Sequence, residues 1–226
     1  MALVDSWPTP FEEFRLAIET WEGTWEDSPY DSGNYAHGWD GSVRLVGTMR
    51  GVTPDAYAAY LKVDPATITA EQMQSEVTLD VAADIAVADY YRAPGFALLT
   101  WSPLVDVSVD IGWGSGPVLA IRMLQSLVCT HVDGILGPQT RHAVNAYVEA
   151  HGPAAACVGL AQRRIEFYMS ISEPGTQNAR FRQGWLNRAD WFLPSNPVWW
   201  DRWKGWTMTV PVASKKPAGL HLTRAA

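Results

Sequence analysis

Cysteine is nearly missing from this 226-residue chain: there are two, Cys129 and Cys157, and neither sits in a CxxC pair. Two thiols cannot supply a disulfide framework for a chain this long, so stability must come from an apolar core, and both are expected to be small buried residues. Long hydrophobic runs are lacking too. No stretch approaches the roughly 18 to 20 apolar residues that a membrane-spanning helix needs. The start, MALVDSWPTPFEEFR, has neither the basic n-region nor the apolar core of a secretory signal. The expectation is a soluble product made in the cytoplasm, without membrane insertion. Basic charge is also short, with 17 Lys and Arg against 24 Asp and Glu and a formal net charge of −7. That argues against nucleic acid or an anionic membrane as partner, because nonspecific binding to either runs on a basic surface.

Metal-binding patterns are absent as well. The five histidines (His37, His131, His142, His151, His221) form neither HExxH nor a close His/Cys cluster. A calcium loop counted from Asp27 would need Gly at its sixth position and Glu at its twelfth, and those positions hold Ser32 and Gly38. GWGSGP is not GxSxG, and its glycines, lacking a βαβ context, suit a tight interhelical turn better than a nucleotide site. No metal and no cofactor are expected.

What the chain does have is hydrophobic content of 47% and 12 tryptophans. Six of these (Trp185, Trp191, Trp199, Trp200, Trp203, Trp206) fall near the C-terminus. Indole faces fill cores, and they also stack on the C–H faces of sugars. Residues 19–31, ETWEGTWEDSPYD, set Glu19, Glu22, Glu26, Asp27 and Asp31 among Trp21, Trp25 and Tyr30 without one basic residue. A solvated acidic loop is one explanation and acid catalysis another. Glu22 falls where the first helix should end, where the macrodipole disfavours a negative charge, and nearby rings and acids would push its carboxyl the same way. A general acid for glycosidic cleavage needs such a carboxyl, while Asp31, in a wet Gly/Ser loop, would stay ionised and handle water.

The elements read as mostly helical. Thr9, Pro10 and Glu12 make a capping box with Pro at N1, and Phe14, Ala17, Ile18 and Trp21 continue at helical spacing to Trp21 or Glu22. Residues 27–47 carry loops and a small β-hairpin with an alternating run from Val43 to Val46. Thr53-Pro54-Asp55 opens a second helix, and Thr69 with Gln72 opens a third, expected to run unbroken past Ala88. In LVDVSVDI (104–111) the alternation of Val105, Val107, Val109 and Ile111 slightly favours a strand. Helices are expected over VLAIRMLQSLV, from Pro138 through Tyr147, and over 154–171. The fold class is therefore α+β, mostly helical, with a small N-terminal β element.

These residues resemble a family. WEGTWEDSPYD followed by VGTMRGVT looks like the EGGY…D…GGxTxxGIT signature of glycoside hydrolase family 108, peptidoglycan muramidases common in phage and prophage lysis cassettes, and LVDVSVDIGWGSGPVLAIRMLQSLV with DGILGPQT looks like that family's helix, SGP turn, LQ helix and junction. RRIEFYMSI and FRQGWLNR are similar to the end of its peptidoglycan-binding module, so the likeness covers about residues 10 to 190. The chain departs from the pattern at Thr24 (second Gly of EGG), at Gly114 (Asn before SGP) and by an insertion around NYAHGWDGSVRL.

The resemblance implies a lysozyme-like fold in which LVDVSVDI is helical, with a catalytic region at 1–130, a peptidoglycan-binding-like region at 131–190 and a Trp-rich extension at 191–226. It implies Glu22 as general acid, Asp31 as the group that positions water or steadies charge, and Thr48 as an aid in orienting that water; Trp25, Tyr30, Tyr35 and Trp113 become the candidate sugar contacts. The partner implied is bacterial peptidoglycan, reached from the host cytoplasm by holin-dependent export or as part of a virion. Two rivals stay open: a lytic transglycosylase using Glu22 alone, and a non-catalytic wall-binding or virion protein, which the acidic charge suits slightly better. For the extension, packing on the body ranks first, then glycan binding, then contact with a partner.

Overall fold

The structure, a computed structural model, describes residues 8–203. The capping box at Thr9 forms: its backbone N–H donates to Glu12 Oε2 at 2.6 Å and its hydroxyl accepts from Glu12 N–H at 3.3 Å. Helix α1 (Pro10–Trp21) follows and buries Phe14 and Ile18. The chain then builds a β lobe of two nested antiparallel ribbons. The outer pairs β1 (Trp25–Glu26) with β4 (Thr48–Met49), and the inner pairs β2 (Tyr35–His37) with β3 (Val43–Leu45). Between them the fully buried Asn34 takes Val46 N–H and Gly47 N–H on its carbonyl at 2.9 Å each.

Helix α2 (Pro54–Leu61) starts at Thr53 as expected, its hydroxyl accepting from Ala56 N–H. The long third helix does not form as one piece. It divides into α3 (Ala70–Glu76) and α4 (Leu79–Ala86), because Val77 leaves the helical region and Thr78 restarts the chain as a new N-cap, accepting from Val81 N–H at 3.2 Å. Apolar periodicity runs through the break, which hid it; the cap-forming threonine was the signal. A π-helical stretch, Val87–Arg92, continues α4.

Residues 104–111 are the core of helix α5 (Pro103–Ser115), not a strand. From Pro103 to Gly112 every residue is buried, so the alternation of apolar and polar residues carries no facing information: the polar ones are inside as well. Helix α5 packs against α1, α6 (Pro117–Leu127) and α8 (Pro153–Ile171). Gly116, with φ +85°, makes the tight α5–α6 turn. After α6 the buried Gln125 organises the DGILGPQT junction, donating to Asp133 Oδ1, Ile135 O and Thr140 Oγ1 and accepting from Gly134 N–H at 2.8 Å. Helix α7 (Pro138–His151) follows, and α9 (Arg182–Asp190) then packs on α8.

One cysteine differs from expectation. Cys157 is buried, but Cys129 is exposed with φ +54°, at the left-handed position that ends α6, where chain geometry rather than apolar character sets its place.

The described part of the extension packs back on the body. Trp199 and Trp203 are fully buried and Trp200 nearly so; Trp206 lies outside the described residues. Trp199 Nε1–H donates to Asp106 Oδ2 at 2.9 Å, and Arg202 pairs with Glu13 of α1 at 2.6 Å. Burial first, and then the neighbouring Glu13 carboxyl, push the Asp106 carboxyl well above its usual range, against the Trp199 hydrogen bond.

A group raised in the native state binds its proton there at pH values where the unfolded chain has lost it. Its stabilising effect is complete below the ordinary Asp value of about 3.9 and is lost as pH rises through the native value. Asp106→Asn, which keeps an acceptor for Trp199, should therefore raise the melting temperature relative to wild type more at pH 7.5 than at pH 4.5. A difference that does not change with pH in thermal melts would contradict this account of Asp106.

Candidate active site

Glu22 caps the C-terminal end of α1: its N–H still closes on Ile18 O at 3.0 Å, while its own backbone is extended (φ −92°, ψ 137°). The side chain thereby turns off the helix axis toward α5 and α9. Oε1 accepts from Trp113 Nε1–H of α5 at 2.9 Å and pairs with Arg188 Nη1 of α9 at 2.6 Å. Of the five acids in 19–31, Glu22 alone is not exposed; its side chain is 18% accessible.

The other carboxylate oxygen lies over the turn that ends the β lobe. Met49 and Val52 exchange both backbone hydrogen bonds (3.1 and 2.9 Å), and the two residues between them, Arg50 (φ +54°) and Gly51 (φ +76°), are left-handed. That is a type I′ arrangement, which asks for glycine. Gly51 is required on a second count: a Cβ there would lie 3.0 Å from Glu22 Oε2 and 3.0 Å from the Trp113 ring. This accounts for the glycine of the GVT motif.

Arg188 also engages Asp110 of α5 through Nη2 at 2.8 Å and Nε at 3.1 Å, and buried Arg164 of α8 reaches the same carboxylate. Burial opposes the charge on Asp110, but the two guanidinium groups prevail and hold its carboxyl below the usual range. Burial likewise opposes the Arg188 charge, and Asp110 with Glu22 hold it protonated. Tyr90 of the π-helical stretch packs on Trp113 at 4.8 Å between centroids, and burial, then the Asp89 and Glu22 charges, raise its phenol.

The remaining candidates lie on the β lobe. Asp31 is exposed and N-caps the short turn Ser32–Asn34, its Oδ1 accepting from Gly33 N–H at 2.8 Å. Thr48 sits opposite Glu26 in the β1–β4 ladder and donates its hydroxyl to Gly33 O at 3.2 Å, which ties it to the same turn as Asp31. Among the four aromatic candidates, Trp113 touches Glu22 directly. Trp25 lies against Gly47, where a Cβ would approach its ring to 2.4 Å; Tyr35 donates to Pro29 O at 3.0 Å; Tyr30 is 97% exposed. Glu26 braces the lobe, accepting from Ser28 N–H at 3.0 Å and from the buried amide of Asn34, and Glu19 pairs with Arg15 on the surface at 3.8 Å.

Sequence reasoning missed Arg188, Asp110 and Gly51. The missing signal for Arg188 was available in part: FRQGWLNR ends on it, and two acids four apart in an otherwise apolar run, Asp106 and Asp110, demand buried partners from somewhere.

Residues 16–116 match the glycosyl hydrolase 108 family, and residues 119–190 match a predicted peptidoglycan domain. The first of these matches covers Glu22 and its partners from α1 to α5, and together the two support a glycoside hydrolase acting on peptidoglycan. Among solved structures, SagA from Brucella abortus superposes with a TM-score of 0.60 at 21% identity, over 83% of this chain and 94% of that one. That likeness is one of fold, and the fold is lysozyme-like α+β. No curated protein matches the chain.

Gly51→Ala places a methyl group against Glu22 Oε2 and forces a left-handed alanine. A destabilisation of about 1–2 kcal/mol is expected from the backbone alone, together with at least tenfold slower clearing of purified peptidoglycan. Unchanged clearing at wild-type stability would refute the close approach of this turn to the acid.

Proposed function

We propose that the chain is a muramidase that hydrolyses the β-1,4 bond between N-acetylmuramic acid and N-acetylglucosamine, with Glu22 as the general acid. One observation carries this reading: of the acids crowded into 19–31, only Glu22 is withdrawn from solvent and fixed by side chains from two distant helices. Its neighbours Glu19 and Glu26 are engaged in surface pairing and in bracing the β lobe. A fixed carboxyl at the junction of a helical body and a β lobe suits protonation of a leaving glycosidic oxygen.

In this reading a proton moves from Glu22 Oε2 to the bridging oxygen as the C1–O bond breaks and its electron pair goes to that oxygen. Water adds to the anomeric carbon and gives up a proton to Asp31. Thr48 contributes by holding the Gly33 carbonyl, and with it the turn that Asp31 caps. Tyr30, exposed on the same lobe, and Trp113 beside the acid offer ring faces to sugar. The reading extends to a phage or prophage endolysin made in the host cytoplasm and brought to the wall by a holin or a virion, and its support there is the sequence resemblance alone.

Glu22→Gln should abolish the release of reducing ends from purified peptidoglycan, a loss of at least about a thousandfold, and Asp31→Asn should lower it by about 10² to 10⁴-fold. Reducing ends are counted by colorimetry and products are identified by mass spectrometry. Full activity in Glu22→Gln would remove the acid assignment. An unaffected Asp31→Asn yielding anhydro-muramic ends would replace the hydrolase with a lytic transglycosylase.

A further inference from the structure

Arg188 is placed oddly for a residue of a wall-binding module. It lies within residues 119–190, the region that matches the peptidoglycan domain, yet its guanidinium reaches out of that region to Glu22, in the region that matches the glycosidase. The fork divides cleanly: Nε and Nη2 hold Asp110, while Nη1 holds Glu22 Oε1. Asp110 in turn is fixed by Arg164 of α8, so the guanidinium that meets the acid is held from behind by a buried carboxylate that is itself anchored. Its side chain is 14% accessible, which removes most of the water that would otherwise screen the pair.

We infer that Arg188, contributed by the peptidoglycan domain, is a positioning residue for the general acid: it locks Glu22 Oε1 and stabilises the charge that Glu22 acquires as its proton leaves. The inference rests on the assignment of Glu22 proposed above. Two donors, Arg188 Nη1 and Trp113 Nε1–H, converge on Oε1. A neutral carboxyl can accept both on its carbonyl oxygen only if its proton sits on the other oxygen, Oε2. The same arrangement suits the conjugate base. As the proton passes to the leaving oxygen, negative charge grows on Glu22 beside a guanidinium already in place, with no reorganisation needed at that moment. Glu22 also sits at the C-terminal end of α1, where the helix opposes that charge, so the guanidinium offsets an unfavourable field that the fold itself creates.

A consequence is that the glycosidase region is incomplete by itself. The wall-binding region supplies a group in direct contact with the reacting carboxyl, in addition to any role in holding glycan.

The test uses the full chain on soluble, uncrosslinked glycan strands, with the saturating rate and the half-saturating concentration measured separately. Arg188→Gln should lower kcat about a hundredfold with KM within about twofold, in line with loss of one preorganised donor. Arg188→Lys, which keeps a charge but cannot bridge both carboxylates, should recover only part of that rate. If Arg188→Gln loses its near-UV circular dichroism, Trp113→Phe decides instead, since it deletes one donor to Oε1 and leaves every ion pair intact; a five- to tenfold fall in kcat at constant KM is expected. Wild-type kcat in these variants alongside an inactive Glu22→Gln would overturn the inference and spare the acid assignment. A change confined to KM would also overturn it, leaving the two residues as sugar contacts with no part in holding the acid. An active Glu22→Gln would overturn the acid assignment itself.

Discussion

Asp110 is the charge around which the molecule is organised. A carboxylate buried in the middle of a helix is costly unless opposite charge and hydrogen bonds surround it. Here Arg164 arrives from α8 and Arg188 from α9, and Arg188 reaches on to Glu22 at the end of α1. Two acids and two guanidinium groups thus form a connected quartet that joins α1, α5, α8 and α9. Breaking any one member leaves an uncompensated charge inside, so the quartet specifies how these four helices meet. Glu22 is its most accessible member, with Oε2 close to Gly51 of the β lobe.

The second buried acid of α5 is handled differently. Among the described residues Asp106 meets no guanidinium at hydrogen-bond distance; it accepts from Trp199 and faces Glu13, whose partner is Arg202. With less positive charge at hand, its carboxyl is pushed well above the usual range, and burial rather than pairing governs it. Two aspartates one helical turn apart are therefore shifted in opposite directions, according to whether arginine or tryptophan reaches them. This also gives the Trp-rich segment a physical task. Trp199 covers Asp106 of α5, which would otherwise be unsatisfied and wet, and Trp200 and Trp203 pack around Trp199. Their indoles are consumed in the core and do not offer faces to sugar.

Local signals were legible wherever they depended on a few neighbouring residues. The capping boxes at Thr9 and Thr69, the helix starts at Pro54, Pro117 and Pro138, and the hairpin ending near Val46 form as their residue types dictate. Reading failed where tertiary environment replaced local pattern. In α5 the alternation of valine with polar residues imitates a strand because both kinds are buried, and only the partners on α8, α9 and the extension make that tolerable. The break at Val77 was lost for the opposite reason, since a strong apolar stripe on both sides concealed a cap. For the site, Glu22 and its helix-end position were visible in sequence, but the group that pairs with it lies 166 residues away. No spacing argument reaches that far.

The crowding of acids in 19–31 has a different explanation from mutual repulsion. The expectation was that neighbouring carboxylates would press on Glu22, yet the groups at hydrogen-bond distance from it are a guanidinium and an indole, and its acidic neighbours point elsewhere. Glu26 instead accepts from the buried Asn34 amide, and Asn34 holds the strand ends at Val46 and Gly47. Asp31 caps the turn whose Gly33 carbonyl receives Thr48. These acids are therefore the acceptors that let a short, glycine-rich lobe with almost no core of its own hold a shape, because each satisfies backbone or amide donors that two-residue strands cannot. The lobe's rigidity matters to the acid through one contact, the left-handed turn at Arg50-Gly51 beneath Glu22 Oε2. These carboxylates thus fix the position of the wall against which Glu22 is set.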